Sequence, residues 1–568
     1  MDKALEMGKT SATGSFHLLI GVAGSTIIMA IGTLVLAALL PASDVGLYGM
    51  AFIPSSIINY FRDCGVNSAM TQQIASLRAS GKESEIHDVI LSGIIFEFIT
   101  GIILSLVCFA VAQPIAYIIS TQNRADTHNL SIYISIMSLS IFAGAITAAA
   151  SAIFTGFERM KLNSITQIFQ AVIKTALGPL LIVIGFGVLG AVYAATASAV
   201  AGGVVGFLIA YFALYRPLRN SRIGKSDIKK TLKSMLKYGL PLTFSNTSIG
   251  VLPQVFAISM AAYAGSTMMG NYYAAAYFSV LLTFISIPIG TALFPAFSKI
   301  KPKEEPELVK TVFAISVKYT SILLVPATMA LIVLASPLIN TLFPQKGILT
   351  SLFIVNAAPK FPQAPLFLII SSIINLLALA GSYTYGTFQT GIGKTGQLMK
   401  QSAVTLGVGL PLAYVLVAYF DSIGGPTFAV IGGILGVLIA NIPSSVWGLY
   451  WCWKHYGAKA DFGNSTRIFA ASAIAAVVTT LFISLLALPY VVLLIAGFVV
   501  FLVVYLAAAP LLGAVNRADI ENFKAMFAGS GIISKILNIP LLFMQKLCRV
   551  NKDKETNPSS SKDIETDP

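Results

Sequence analysis

Six polar side chains stand inside or beside long apolar runs of this sequence: Arg62, Asp63, Glu97, Gln170, Lys174 and Lys318. A charge at bilayer depth is costly when it faces lipid, so such groups turn toward a partner or a polar cavity. Three cations among small polar residues could neutralise a phosphate or pyrophosphate, while hydroxyl and amide groups such as that of Gln170 could meet sugars. Their neighbours fall at helical spacing. Asp88, Ser92, Glu97, Thr100, Ser105 and Cys108 keep to one side of a helix; so do Asn163, Gln167, Gln170, Lys174 and Gly178, and Thr311, Ala314, Lys318, Ser321 and Thr328. Such stripes predict a water-filled lumen between helices.

Each charge also has a structural reading. Arg62 and Asp63, neighbours near the inner end of the second apolar segment, could bind a substrate and an ion, or pair with each other and snorkel. Glu97 could be a protonated structural carboxyl, or the acid that releases a proton or binds Na⁺ during coupling. Lys174 is the deepest, which favours a cavity role. Lys318 could serve the same site or reach back toward the cytoplasm.

The elements that must position these groups are membrane helices. Of 568 residues, 56% are hydrophobic and 11% charged, with a mean hydropathy of +0.82, a balance that points to lipid as the solvent. Fourteen apolar segments run from 16–40 to 490–513, each long enough to cross roughly 30 Å of hydrocarbon. The first is too long for a signal-peptide core and reads as a retained helix. The net charge of +14 could suggest nucleic acid, but the basic residues sit in short segments between apolar runs. With the N-terminus cytoplasmic, 31 of the 37 Lys and Arg fall inside, and only Arg124, Lys346 and Lys360 outside. Both termini are therefore expected in the cytoplasm. Residues 216–237 read as a basic amphipathic linker on anionic headgroups. The stretch 337–365, with Pro344, Pro359, Pro362 and Pro365, reads as an ordered, non-helical external cap. Residues 514–568 read as a cytoplasmic interfacial segment and a disordered tail.

The two halves repeat. Gly46-Leu47-Tyr48-Gly49-Met50-Ala51 matches Gly270-Asn271-Tyr272-Tyr273-Ala274-Ala275; Ala112-Gln113-Pro114-Ile115 matches Ala335-Ser336-Pro337-Leu338; Thr155-Gly156-Phe157-Glu158-Arg159 matches Thr390-Gly391-Ile392-Gly393-Lys394. The offsets are 224, 223 and 235 residues. An offset of six helices keeps the repeats parallel, related by an axis along the membrane normal. The predicted fold is an all-α polytopic membrane protein. Its six-helix lobes are 1–215 and 238–451, and two further helices lie in 452–513.

Motifs for bond-making chemistry are missing from the sequence. The four cysteines and four histidines are dispersed, so neither a disulfide frame nor a metal site is implied. There is no Walker loop, zinc His pair or nucleophile elbow. No cofactor and no enzymatic activity are expected, and transport would draw on an ion gradient, the membrane potential or substrate asymmetry.

Leu39-Leu40-Pro41-Ala42-Ser43-Asp44-Val45-Gly46-Leu47-Tyr48, Phe61-Arg62-Asp63-Cys64-Gly65-Val66-Asn67, Thr155-Gly156-Phe157-Glu158-Arg159-Met160-Lys161 and Tyr238-Gly239-Leu240-Pro241-Leu242 carry a family resemblance. With them the chain resembles the polysaccharide-transporter (Wzx-type) branch of the multidrug/oligosaccharidyl-lipid/polysaccharide (MOP) exporter superfamily over roughly residues 10–510. The second segment departs from the family pattern, with Cys64 and Val66 in place of leucines. The resemblance implies fourteen helices, alternating access, and flipping of polyprenyl-(pyro)phosphate-linked oligosaccharide from the inner to the outer leaflet by a basic cavity. It implies a monomer in the plasma membrane of a prokaryote. An ion-coupled drug antiporter of the same superfamily is the nearer alternative. A membrane glycan polymerase or ligase is the further one, and loop 337–365 lacks the acidic, Arg or His residues it would need.

Overall fold

The computed structural model describes residues 24–121, 126–219, 227–300, 302, 304–345, 358–527 and 532–548. Lys3, Lys9, Arg124, Lys346, residues 220–226 of the linker and the tail from 549 lie outside the described residues. The described chain is helical nearly throughout. In order come α1 (Gly24–Leu39), α2 (Ala42–Arg62), α3 (Val66–Ala79), α4 (Glu83–Ala110), α5 (Ala112–Ile119) and α6 (Thr127–Gly156). Next are α7 (Met160–Leu181), α8 (Gly187–Ala210), α9 (Ile228–Lys299), α10 (Pro306–Val333) and α11 (Ala335–Leu342). The C-terminal part holds α12 (Ala364–Ser372), α13 (Ser382–Gly391), α14 (Thr395–Gly424), α15 (Pro426–Tyr456), α16 (Phe462–Leu485) and α17 (Tyr490–Leu511), then α18 (Arg517–Phe527) and α19 (Ile532–Leu547).

Among the described residues, eight helices are long and apolar enough to cross a membrane, or nine if the bent pair 364–391 is one span. Helix covers most of the described part of each apolar segment, but several run together. At 1.5 Å per residue the 72 residues of α9 would reach roughly 110 Å, far beyond one bilayer. Gly265, at φ 72° and ψ 176°, divides it. The contacts with α2 show the reversal. Gly239, Thr247 and Gly250 meet the end of α2 at Gly65 and Tyr60, whereas Ser266, Gly270 and Tyr273 meet Ala42, Gly46 and Gly49.

Large apolar side chains such as Leu106, Phe109, Val183 and Leu485 are left uncovered, at 62%, 59%, 73% and 82% exposure. A water-soluble chain does not present apolar surface on this scale, and lipid is the solvent that accepts it.

The repeat is visible at the backbone. The 28 residues of α4 turn through Val111 into the eight of α5, and the 28 of α10 turn through Leu334 into the eight of α11. The ends of α6 and α13 close alike. Arg159 N–H donates to Phe154 C=O and Lys394 N–H to Gln389 C=O, each at 2.8 Å, with Glu158 and Gly393 at positive φ. This six-to-one bond is the helix-terminating Schellman arrangement.

The repeat-related glycines meet each other. A Cβ on Gly46 would lie 1.8 Å from Ser266 O, and one on Gly270 would lie 1.8 Å from Ala42 O. Each glycine thus touches the residue four positions before its counterpart, the reciprocity that a two-fold relation produces. Only residues without a side chain let two helix backbones come so close. At the other end of α2, Gly65 and Gly239 approach as tightly.

Three predicted boundaries are corrected. The second apolar segment, 47–73, is two helices, because Cys64 and Gly65 take positive φ and end α2. Residues 228–237 of the expected linker are the first turns of α9, whose start Asp227 caps by accepting from Lys230 N–H at 3.0 Å. The cap at 337–365 is partly helical, since α11 runs to Leu342 before Pro344 pairs with Pro359.

Lys360, in that cap, ties it to α1. Its ammonium donates to Ala37 O at 3.0 Å and Ala38 O at 2.7 Å, satisfying carbonyls that the helix end leaves free. Burial pushes this lysine down to about 8.

Candidate functional site

The α2–α3 break gathers the first cluster. Arg62 closes α2, where a cation suits the carbonyl end, and the Asp63 carboxylate accepts from Asn67 N–H at 2.8 Å at the start of α3, where an anion suits the amide end. The two neighbours therefore divide their work between α2 and α3. Glu97, from the middle of α4 and 0% exposed, reaches both segments: Arg62 Nη1 is 3.5 Å from its Oε2 and Asn67 Nδ2 donates to its Oε1 at 2.8 Å. Arg62 also donates to Ile141 O of α6. Arg62 Nε, Asn67 Oδ1 and Glu97 Oε2 have no hydrogen-bond partner among the described residues. The cluster is a buried ion pair with spare capacity, able to take up a proton or a small polar guest. Asn67 belongs to it although its type alone gave no signal; its place just past Arg62, Asp63 and a glycine was the available clue.

Lys174 stands elsewhere. From α7 its ammonium sits 5.3 Å from the centre of the Phe52 ring on α2, a cation–π contact. No carboxylate lies within ion-pair distance of it among the described residues. Phe52 is ten residues before Arg62, so about 15 Å of α2 separates the two cations. Gln170, one turn before Lys174, packs over Gly202 of α8.

Lys318 is not with them. It pairs with Asp519 of α18 at 2.6 Å, and both side chains are nearly buried. Asp519 also accepts from Asn516 N–H, and Asn522 Nδ2 donates to Tyr319 OH beside it. The lysine fastens the C-terminal helices to α10 instead of contributing a third cation to the site. Lys318→Met is accordingly expected to speed protease cleavage within 517–548 several-fold. Unchanged cleavage would show that the pair does not hold the segment.

Two of the three polar stripes, those of α4 and α10, are also corrected. Their described members lie largely between helices rather than along a lumen, whereas Gln167, Gln170 and Lys174 of α7 are half-exposed. Ser92, Glu97 and Cys108 of α4 are 0% exposed, and Ser105 donates to Ser138 O of α6. Ser321 of α10 donates to Ala378 O, and Thr328 bonds back to Leu324 O. In a medium without water, hydroxyls find carbonyls on neighbouring helices, which yields the same spacing as a wet wall.

The described geometry defines a multi-pass membrane protein of parallel-repeat, all-helical construction, with buried charges and no cluster of metal-ligating side chains among the described residues. Solved structures share this fold. The lipid II flippase MurJ in an inward closed conformation superposes with a TM-score of 0.65 at 16% identity, over 87% of this chain and 97% of that one. An inward-facing multidrug resistance MATE family transporter of the MOP superfamily gives 0.61 at 18% identity, over 75% and 93%. A MOP superfamily transporter from Pyrococcus furiosus gives 0.53 at 20%, over 79% and 96%. The fold is the one these transporters share. The family model described as polysaccharide biosynthesis protein matches residues 11–301, and the chain belongs to that family. No curated protein matches it in sequence.

Proposed function

We infer that this transporter flips a polyprenyl-(pyro)phosphate-linked oligosaccharide from the cytoplasmic to the outer leaflet of a prokaryotic plasma membrane. It does so as a monomer, with both termini cytoplasmic. The observation that carries this reading is Lys174, an ammonium held among membrane helices against an aromatic ring, with no carboxylate partner among the described residues. An anionic headgroup is the counter-charge it lacks, whereas a cationic drug would be repelled. Lobes 1–215 and 238–451 would rock about the α2–α9 seam, the glycine contacts at its two ends opening in turn. Gln170 stands one turn away for the sugar, and Arg62 draws the headgroup in from the cytoplasmic end.

The expected result is that Lys174→Ala cuts translocation of labelled lipid-linked oligosaccharide in proteoliposomes by at least about tenfold, the worth of one charge-assisted contact, at unchanged protein level. Normal translocation by the variant would remove the cavity assignment. Translocation of cationic drugs in its place would favour the antiporter alternative.

Glu97 is the coupling acid in this reading, with Asp63 beside it. Binding H⁺ or Na⁺ releases Arg62 from the pair, so ion occupancy biases the junction of α2, α3 and α4. Measured per folded molecule, Glu97→Gln is expected to leave gradient-free equilibration intact while abolishing acceleration by an imposed H⁺ or Na⁺ gradient. A variant that still responds fully to both gradients would exclude Glu97 from coupling.

A further inference from the structure

The repeat departs from symmetry at α6. Where α6 runs unbroken for 30 residues, its counterpart passes from α12 into a 3₁₀ run, Ile373–Ala380, and bends by 56° at Gly381 before α13. Eight residues is long for 3₁₀ geometry, and such stretches mark functional hinges. Gly381 sits at φ 93°, and a Cβ there would lie 2.9 Å from Val317 of α10, so the sequence keeps a glycine at the bend.

A cavity of about 320 Å³ lies between this break and the second half of α9. Tyr272, Ala276 and Ser279, at steps of four and three, present one face of α9 to it. From the broken helix come Ser371, Asn375 and Tyr383. Tyr383 OH donates to Asn375 Oδ1 at 2.6 Å, and Asn375 Nδ2 donates to Ser372 O at 3.1 Å, which fixes the amide and leaves the phenol oxygen free to accept. Among the described residues no charged side chain lines the space. Aromatic faces beside hydroxyl and amide groups suit a neutral polyhydroxylated ring, whose C–H faces pack on tyrosine while its hydroxyls hydrogen-bond. The volume stands at the small end of the usual range for ligand sites, room for a single sugar.

The position fits the same headgroup. Tyr273, next to Tyr272, lies against Gly49 of α2, and Phe52, the ring under Lys174, is one turn further along. The cavity and Lys174 thus both adjoin the seam of α2 and α9.

We propose that the cavity at the break of α12 and α13 is a glycan subsite, taking a neutral sugar ring of the lipid-linked substrate through Asn375, Tyr383, Tyr272 and Ser279. This rests on the flippase reading above. The test compares two probes on the purified full chain: a short-chain polyprenyl pyrophosphate bearing one N-acetylhexosamine, and the same lipid without sugar. Asn375→Ala, and Ala276→Leu, which fills the space, are expected to weaken the sugar-bearing probe about tenfold and the bare one less than about twofold. Tyr383→Phe keeps the ring and removes only the hydroxyl; it is expected to shift binding in the same direction, with unliganded thermal unfolding unchanged. Equal loss of both probes, or loss of neither, overturns the subsite. Wild-type protein that binds the bare lipid but gains nothing from the sugar overturns the subsite and leaves the phosphate reading standing. Wild-type protein that binds neither probe overturns the flippase reading and the subsite with it.

Discussion

Arg62→Ala is expected to lower the stability of the purified protein by roughly 3–5 kcal/mol, the usual cost of breaking one side of a buried ion pair. Glu97, fully buried, would keep the Asn67 hydrogen bond on Oε1 but have nothing opposite Oε2. Its alternatives are to remain charged in a medium that cannot solvate it or to take up a proton. The loss should appear as reduced folded yield and earlier thermal unfolding in detergent. Arg62→Met combined with Glu97→Gln should recover most of it, because the double variant leaves no unpaired charge. The signature is the coupling between the two sites, which adds up only if they are independent. Strict additivity, or a single-variant cost no larger than that of a surface change, would show that the pair does not hold the α2–α3 junction.

The second large effect lies at the seam. Gly46→Ala places a methyl 1.8 Å from a carbonyl oxygen of the opposing backbone, and no side-chain rotation relieves it. The helices must part at that end. Overpacking of this kind costs about 1–3 kcal/mol, enough to shift a two-state equilibrium by roughly ten- to a hundredfold. Gly239→Ala does the same at the other end, where its methyl would lie 2.4 Å from Gly65 O. Each variant is expected to open its own end. Gly46→Ala should speed maleimide labelling of a Ser43→Cys reporter, and Gly239→Ala should speed labelling of the native free thiol Cys64. If either variant labels both reporters alike, the seam does not work as two opposed gates.

The repeat was legible because its signals are local. A glycine pair, an Ala-x-Pro turn and a Thr-Gly helix end keep their backbone roles wherever they are placed, and the structure shows the same 28-plus-8 helix pairs and the same terminating bonds in both halves. Gly65 lies within the motif that carries Arg62, yet nothing in its neighbours marks it as a helix break. Apolar periodicity runs on across a single left-handed residue, so a hydropathy window reads two helices as one.

The polar stripes mark the limit. Helical spacing states which residues share a face; it does not state what that face meets. Glu97 and Lys318 looked equivalent, each a charge on a polar stripe in the third helix of its repeat. Tertiary packing separated them, giving Glu97 an arginine and asparagine from the α2–α3 junction and giving Lys318 an aspartate 201 residues away. The break at Gly381 is equally hidden, since one glycine in an apolar helix is ordinary and hydropathy does not record its left-handed backbone. The sequence by itself determined the solvent, the helical class and the repeat, through composition and short backbone signals. Only the tertiary structure decided which polar groups stand together, because that depends on how each helix is rotated against its neighbours.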